Sequence, residues 1–188
     1  IAGCVLANIG AETVSIAVFE NNSPVSIEIF PIGSTDITND IALGLKVPLE
    51  EAEQIKIGAI TGSSYPRKKL EEIISARLSD IFELIEAHLK KIGRNGLLPA
   101  GIVITGGGSG LTSIEDMAKV ALRLPSRIGA VQLGISEKQS FKDSTWAVAY
   151  GLCILGTQAD ESMPIDTSSK IIADTTRTLK AWFKQFLP

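Results

Sequence analysis

Three short apolar or alternating runs open the chain, at residues 3–9, 13–20 and 25–31, with the spacing of half-buried strands. Gly10-Ala11-Glu12 and Asn21-Asn22-Ser23-Pro24 separate them and read as tight turns. Connections this short predict an antiparallel meander. After Gly33 the period becomes helical: Ile37, Ile41 and Leu45 recur behind a candidate cap at Ser34, Thr35 or Asp36. A second helix is predicted from Pro48, with Glu50, Glu51 and Glu53 complementing its dipole and Lys56 near its end. Residues 61–66 read as a loop. The longest helix is predicted over 67–92, where Leu70, Ile74, Ile81, Ile85 and Leu89 form one stripe before a stop at Gly93.

Residues 101–105, 106–110 and 112–122 read as strand, glycine loop and helix, with Thr112 and Glu115 spaced as a capping box. A strand over 127–133 and a small, fully buried helix over 145–155, with Trp146 in the core, complete the predicted domain near Gly156. Beyond it, residues 157–174 carry Asp160, Glu161, Asp166 and Asp174 among Ser, Thr and Pro, the composition of a flexible linker. Over 175–187 the pattern changes again. Leu179, Trp182, Phe183, Phe186 and Leu187 fall on one helical side, and Arg177, Lys180 and Lys184 on the other, predicting a short basic amphipathic helix on a tether.

Composition narrows the class. A chain of 188 residues, 45% hydrophobic and 21% charged, is one globular domain or one lobe of a two-lobed protein. Its net charge of −3 argues against a nucleic-acid binder. Cys4 and Cys153 stand in apolar contexts and read as buried hydrophobes rather than a disulfide or metal pair, which suits a reducing cytoplasm. No run approaches the ~18 apolar residues of a membrane span, and no signal segment opens the chain. A start at Ile1, directly in a strand-like run, is expected of a piece excised from a longer protein. His88 lies in the long helix without apparent metal partners, and no serine or cysteine has a matching base, so no triad, carboxylate pair or zinc site is expected.

The glycine loop is the stretch with chemistry in it. Backbone N–H groups at a strand–loop–helix junction let a nucleotide come closer than side chains would permit. A Walker loop needs Gly-Lys-Ser/Thr, and no Lys follows here; the dinucleotide fingerprint needs a third Gly or Ala where Leu111 stands. Both usual motifs fail. From these residues alone, 106–110 is either a nucleotide loop or a tight packing turn.

Wider context adds a resemblance. Asn8-Ile9-Gly10-Ala11-Glu12-Thr13 resembles the second phosphate loop of the actin, Hsp70 and sugar-kinase superfamily, and GIVITGGGSGLTSI resembles its adenosine motif, in the same order and spacing. More narrowly, PIGSTDITNDIALGLKVPLEEAEQIK (31–56), LPAGIVITGGGSGL (98–111) and WAVAYGL (146–152) resemble FtsA, the actin-like bacterial cell-division family. The resemblance covers about residues 1–156 and the tail, and leaves out 57–66. It implies an α/β fold, an actin-like ATPase (RNase H-like) lobe whose antiparallel three-strand meander is extended by further strands and flanked by helices. The implied organisation is a lobe over 1–156, a linker over 157–174 and a membrane-targeting helix over 175–188.

The implied cofactor is ATP with Mg, held between two lobes and therefore weakly or not at all by this half alone. Asn8, Gly10 and Thr13 would stand near the phosphates, Glu53 and Lys56 beside the base or ribose, and Gly106, Gly107, Gly108 and Ser109 under the adenosine. Asn8 departs from the family's Asp, Ala11 and Glu12 from its glycines, and Ser15 from another frequent Asp. An Asn cannot carry the charge that holds magnesium-bound water, and a Glu12 carboxylate ~4 Å from a phosphate oxygen is repelled by about 4 kcal/mol at an effective dielectric of ~20. The implied chemistry is binding with little hydrolysis, with no catalytic residue assigned.

The resemblance also implies partners. The family's small subdomain receives the C-terminal peptide of the tubulin-like FtsZ, but here only about ten residues separate the helix ending near Lys56 from the one beginning near Arg67. Exposed Arg67, Lys68, Lys69 and Arg77 are left to meet an acidic peptide; a solvated helix face is the competing reading. Leu179, Lys180, Trp182, Phe183, Lys184, Phe186 and Leu187 suit the anionic inner-membrane surface. The implied function is a cell-division scaffold that self-associates into filaments and tethers FtsZ to the cytoplasmic face of the cell membrane at the division site. Two alternatives stand beside it: a PilM-like adaptor for type IV pilus assembly, expected to lack the basic aromatic tail, and an ATP-hydrolysing enzyme of the superfamily, against which Asn8 and Glu12 count.

Overall fold

The structure, a computed structural model, describes residues 3–60, 65–129 and 144–162. By contact the chain divides into two compact units, Ile1–Val148 and Ala149–Pro188. The first unit opens with the expected meander, β1 (Cys4–Ile9), β2 (Val14–Glu20) and β3 (Ser23–Phe30). Their period of two is visible in burial, since Val5, Ala7 and Ile9 of β1 and Val14, Ile16 and Val18 of β2 all face inward. Two further strands, β4 (Ile102–Thr105) and β5 (Ser126–Ile128), complete a sheet in the order β3-β2-β1-β4-β5. β1 pairs antiparallel with β2 and parallel with β4, which in turn pairs parallel with β5. The parallel pairs require crossovers, and helices supply them.

Those helices are α1 (Ser34–Leu45), α2 (Leu49–Lys56), α3 (Arg67–Lys91) and α4 (Ile114–Leu122). α1 packs on α2 and α3, and α3 on α4. Ile37 and Ile41 of α1, Leu78, Ile81, Phe82, Ile85 and Leu89 of α3, and Ile114 and Leu122 of α4 join the inward strand residues in one core. The stripe read from the sequence on α3 is the buried one, although Leu70 and Ile74 at its start are only half-buried. The sheet's other face carries Leu6, Val25, Ile27 and Ile29 exposed.

Several local expectations need correction. The cap of α1 is Gly33, one residue before the candidates, and the Asp36 carboxylate accepts its N–H at 2.8 Å. Pro48 caps α2 and is not its first helical residue. The Thr112–Glu115 capping box does not form: Ser113 stands at the cap of α4, and Glu115 Oε1 accepts from the Ile128 N–H of β5 at 2.6 Å. β5 is shorter than expected, and residues 130–133 of the predicted strand lie outside the described residues. A final helix, α5 (Ala147–Ser162), runs through residues 157–162 of the segment read as linker. It is not the buried helix expected. Val148, Leu152 and Leu155 are exposed, as are Trp146 and Cys153, while Cys4 is half-buried. An apolar composition without a strong stripe could not tell burial from exposure here. The rest of the linker and the amphipathic segment 175–188 lie outside the described residues.

Candidate functional site

Two glycine-bearing turns stand at neighbouring strand ends, after β1 and after β4. In the first, the Gly10 N–H donates to the Thr13 carbonyl at 2.9 Å. The turn's own carbonyls face the start of α1, where the N–H groups of Ser34 and Thr35 donate to Gly10 and Ala11 at 2.9 and 2.8 Å. Helix-start N–H groups that lack an intrahelical partner thus hold the turn. The approach needs a residue without a side chain at 33, because a Cβ there would lie 2.2 Å from the Ala11 carbonyl oxygen. Ala11, Glu12 and Thr13 are exposed, so the Glu12 carboxylate has solvent to turn into.

After β4 the chain winds into a 3-10 turn, Gly107–Gly110. Gly106 has φ +91, and a Cβ on it would lie 2.4 Å from Asn8 Oδ1 and 2.5 Å from the Ile9 carbonyl oxygen. A Cβ on Gly108 would lie 2.5 Å from Ile9 Cγ2, whereas Gly107 and Gly110 have nothing within 4 Å of their Cβ positions. Asn8 and the glycine loop are therefore close neighbours. Ser109 is buried and donates to the Gly106 carbonyl at 2.7 Å, with its Oγ also against Ser144 Oγ. It braces the loop from inside. The Ser144 carbonyl in turn accepts from the Gly106 N–H at 3.2 Å and the Thr105 hydroxyl at 3.0 Å.

Glu53 and Lys56, one turn apart on α2, form a compact network with α1. The Lys56 ammonium lies 2.7 Å from Glu53 Oε2 and donates to Thr38 Oγ1 at 2.9 Å and the Ser34 carbonyl at 3.1 Å. Thr38 donates to the same Glu53 oxygen at 2.6 Å. The Lys56 side chain is 7% exposed and that of Glu53 43%. Partial burial pushes the Glu53 carboxyl up, but hydrogen bonds from Lys56 and Thr38 and the ammonium charge outweigh it, and the group ends below its ordinary value. Thr38 and the Ser34 carbonyl carry no sequence signal, because their partners stand 18 and 22 residues away.

Lys56 also lines a cavity of about 470 Å³ with Ile55, Ile57, Gly58, Ile60, Tyr65, the α3 residues Arg67, Leu70, Glu71, Ile74 and Ser75, and Gly110, Thr112 and Ser113 beyond the glycine loop. Walls that mix apolar side chains with several polar and charged groups, at this size, suit a nucleoside. Glu53 stands behind Lys56 rather than on the lining. Tyr65, Glu71 and Ser75 were not legible as site residues, since only the fold brings α3 against the end of the loop. Arg67, assigned to a peptide, lines this cavity; Lys68 and Lys69 are exposed. Arg77 is not free as expected. Its guanidinium donates to both Asp40 oxygens at 2.7 and 3.0 Å, which chiefly raises its pKa, and it lies 3.4 Å from Asp80.

His88, read as without a matching serine, has one. Its Nε2 lies 2.8 Å from Ser26 Oγ and its Nδ1 3.2 Å from Glu28 Oε2, with the Phe30 ring edge-on. The contacts tie α3 to the edge strand β3. Against the implied cofactor, the residues fit in part. Open backbone at Gly110 on the cavity lining, and at Gly107 in the same turn, suits the nucleoside. At the phosphate end the fit to Mg is poor: Asn8 supplies no charge, and among the described residues no group of three His, Cys, Asp or Glu could hold a metal ion.

The family model of the cell division protein FtsA matches residues 5–151. FtsA of Neisseria meningitidis serogroup B is 32% identical over 186 residues, covering 86% of this chain and 44% of the relative. The chain spans about half the length of the curated relatives it matches. Among solved structures, MreB5 of Spiroplasma citri bound to AMPPNP matches with a TM-score of 0.67 at 17% identity, covering 85% of this chain and 54% of the other. A PilM–PilN type IV pilus biogenesis complex matches with a TM-score of 0.67 at 21% identity, covering 82% and 46%. At these identities the likeness is one of fold: a five-stranded mixed sheet flanked by helices, as in actin-like proteins.

Proposed function

Because the chain belongs to the FtsA family of cell division proteins, we propose that it is part of an actin-like scaffold that ties FtsZ filaments to the cytoplasmic membrane at the division site. The observation that carries the reading is the match over residues 5–151 joined to a cavity where Lys56 faces the end of the glycine loop. In this reading the scaffold holds ATP with the nucleoside in that cavity. The turn at Gly10 and Thr13 meets the phosphates, and turnover is slow because Asn8 brings no charge to a magnesium ion. Copies associate into filaments, as actin-like folds allow. Lys68 and Lys69 meet the acidic FtsZ peptide, with Arg67 shared between that surface and the cavity.

Residues 175–188 supply the membrane contact. The side of Leu179, Trp182, Phe183, Phe186 and Leu187 enters the lipid interface, while Lys180 and Lys184 meet anionic headgroups at about 1 kcal/mol per cation. No helix among the described residues is long and apolar enough to cross a membrane. The PilM-like reading shares the fold, and the basic aromatic segment favours the tether over it.

Co-sedimentation of the full-length protein with vesicles containing anionic lipid tests the tether. The intact protein is expected to pellet, less so as salt rises; a chain ending at Asp174 and the double variant Trp182→Glu, Phe183→Glu are expected to stay in solution. If all three remain soluble at high concentration the tether fails, and the PilM-like reading takes its place.

A further inference from the structure

Resting on the nucleotide reading above, we infer that Tyr65 is the platform on which the nucleotide base stacks. Tyr65 lines the cavity together with the apolar side chains of Ile60, Leu70 and Ile74 and with Gly110, Thr112 and Ser113 beyond the glycine loop. Its hydroxyl donates to the Ile60 carbonyl at 2.6 Å, and its ring packs at the edge of the core. The side chain is thus held in one orientation before any ligand arrives, which removes most of the ordering cost of using it. A planar heteroaromatic ring is the ligand part that an aromatic face and aliphatic neighbours recognise, and a phosphate or sugar hydroxyl is not.

The position follows from the chain's own economy of length. Tyr65 immediately precedes the Pro66 cap of α3, and α3 begins only about ten residues after α2 ends. That short connection sets the start of α3 against the end of α2 and the far side of the glycine loop, so its first residues become a cavity wall. Stacking reads no base edge. Tyr65 should therefore strengthen adenine and guanine nucleotides alike, and leave their discrimination to the polar groups around the cavity.

The test is equilibrium binding of ATP, GTP and the baseless ribose 5-triphosphate to the full-length protein and its Tyr65→Ala and Tyr65→Phe variants. Tyr65→Ala is expected to weaken ATP and GTP alike by roughly tenfold, within the ~5- to ~150-fold range that loss of one base–aromatic stack brings. Its affinity for ribose 5-triphosphate should match that of the unaltered protein. Tyr65→Phe keeps the ring, loses the bond to Ile60, and should recover most of the loss. Equal weakening of all three probes would show that Tyr65 merely supports the fold and would overturn the inference, as would full ATP affinity in Tyr65→Ala. An unaltered protein that binds none of the three removes the nucleotide reading itself, and this inference with it.

Discussion

The two glycine turns sit side by side and are held by different physics. The turn after β1 is latched by polar groups: Ser34 and Thr35 N–H donate to Gly10 and Ala11, and behind them Lys56 donates to the Ser34 carbonyl while paired with Glu53. The loop after β4 is braced by uncharged hydrogen bonds through Ser109 and Ser144 and wedged by shape, with Gly106 and Gly108 close on Asn8 and Ile9. A latch of charge and hydrogen bonds responds to pH and salt. A steric wedge ignores both but tolerates no added atom. In the reading proposed here the latched turn meets the phosphates and the wedged loop the nucleoside, so the two should fail under different challenges.

The largest effect is expected where the wedge meets backbone. Gly106→Ala places a Cβ 2.5 Å from the Ile9 carbonyl oxygen at a φ of +91 that an L side chain rarely adopts. Overpacking and backbone strain together should cost about 3 kcal/mol, or roughly 6–12 °C of melting temperature for a chain of this size. Gly33→Ala, at the latched turn, meets the Ala11 carbonyl closely but from ordinary extended backbone, and should cost less than Gly106→Ala. Thermal unfolding of both variants checks the order. A Gly106→Ala protein that melts within about 2 °C of the original would mean the loop shifts freely, and the wedge would be no wedge.

How far this contrast was legible in sequence depends on how local each part is. Periods of two and of 3.6 marked the meander and the core-facing residues of α1 and α3, since burial there repeats along a single element. The glycine loop was visible as a motif, but not which glycines pack and which stay open, because Asn8 and Ile9 lie about a hundred residues away. Thr112 and Glu115 had the spacing of a capping box, yet Glu115 bonds β5 instead, a tertiary partner prevailing over a local one. Tyr65, Glu71 and Ser75 were missed because nothing in their spacing says that α3 faces the loop end. The exposed helix α5 was misread for a related reason: apolar content states a preference for burial and names no surface to satisfy it.

The latch gives the next test, smaller and dependent on pH. The Glu53 carboxyl is held below its ordinary value, so its contribution is fully present above the ordinary carboxylate range near ~4.3 and disappears as pH falls through the lowered folded value. Glu53→Gln should cost about 1 kcal/mol at neutral pH, a modest figure because the carboxylate is partly solvated. The gap between the two denaturation midpoints should close as the medium is acidified below that range. Gly106→Ala should show no such closure. A gap for Glu53→Gln that stays constant from neutral pH to acid would mean that the network is not held by the Glu53 charge.

The smallest effect on stability is expected at Gly107, and it separates packing from ligand access most cleanly. Nothing lies within 4 Å of a Cβ built on Gly107, and its φ is not in the left-handed region, so alanine fits without strain. Removing glycine's freedom from the unfolded chain should then raise stability by about 0.4–1 kcal/mol. The same methyl group projects from open backbone of the glycine loop, whose last residue Gly110 lines the cavity, where in the proposed reading a nucleoside would need close approach. Gly107→Ala should therefore melt no lower than the original protein while binding nucleotide more weakly. If affinity holds along with stability, the open glycines are not the surface on which the nucleoside rests, and the ligand must lie wholly against α2 and α3.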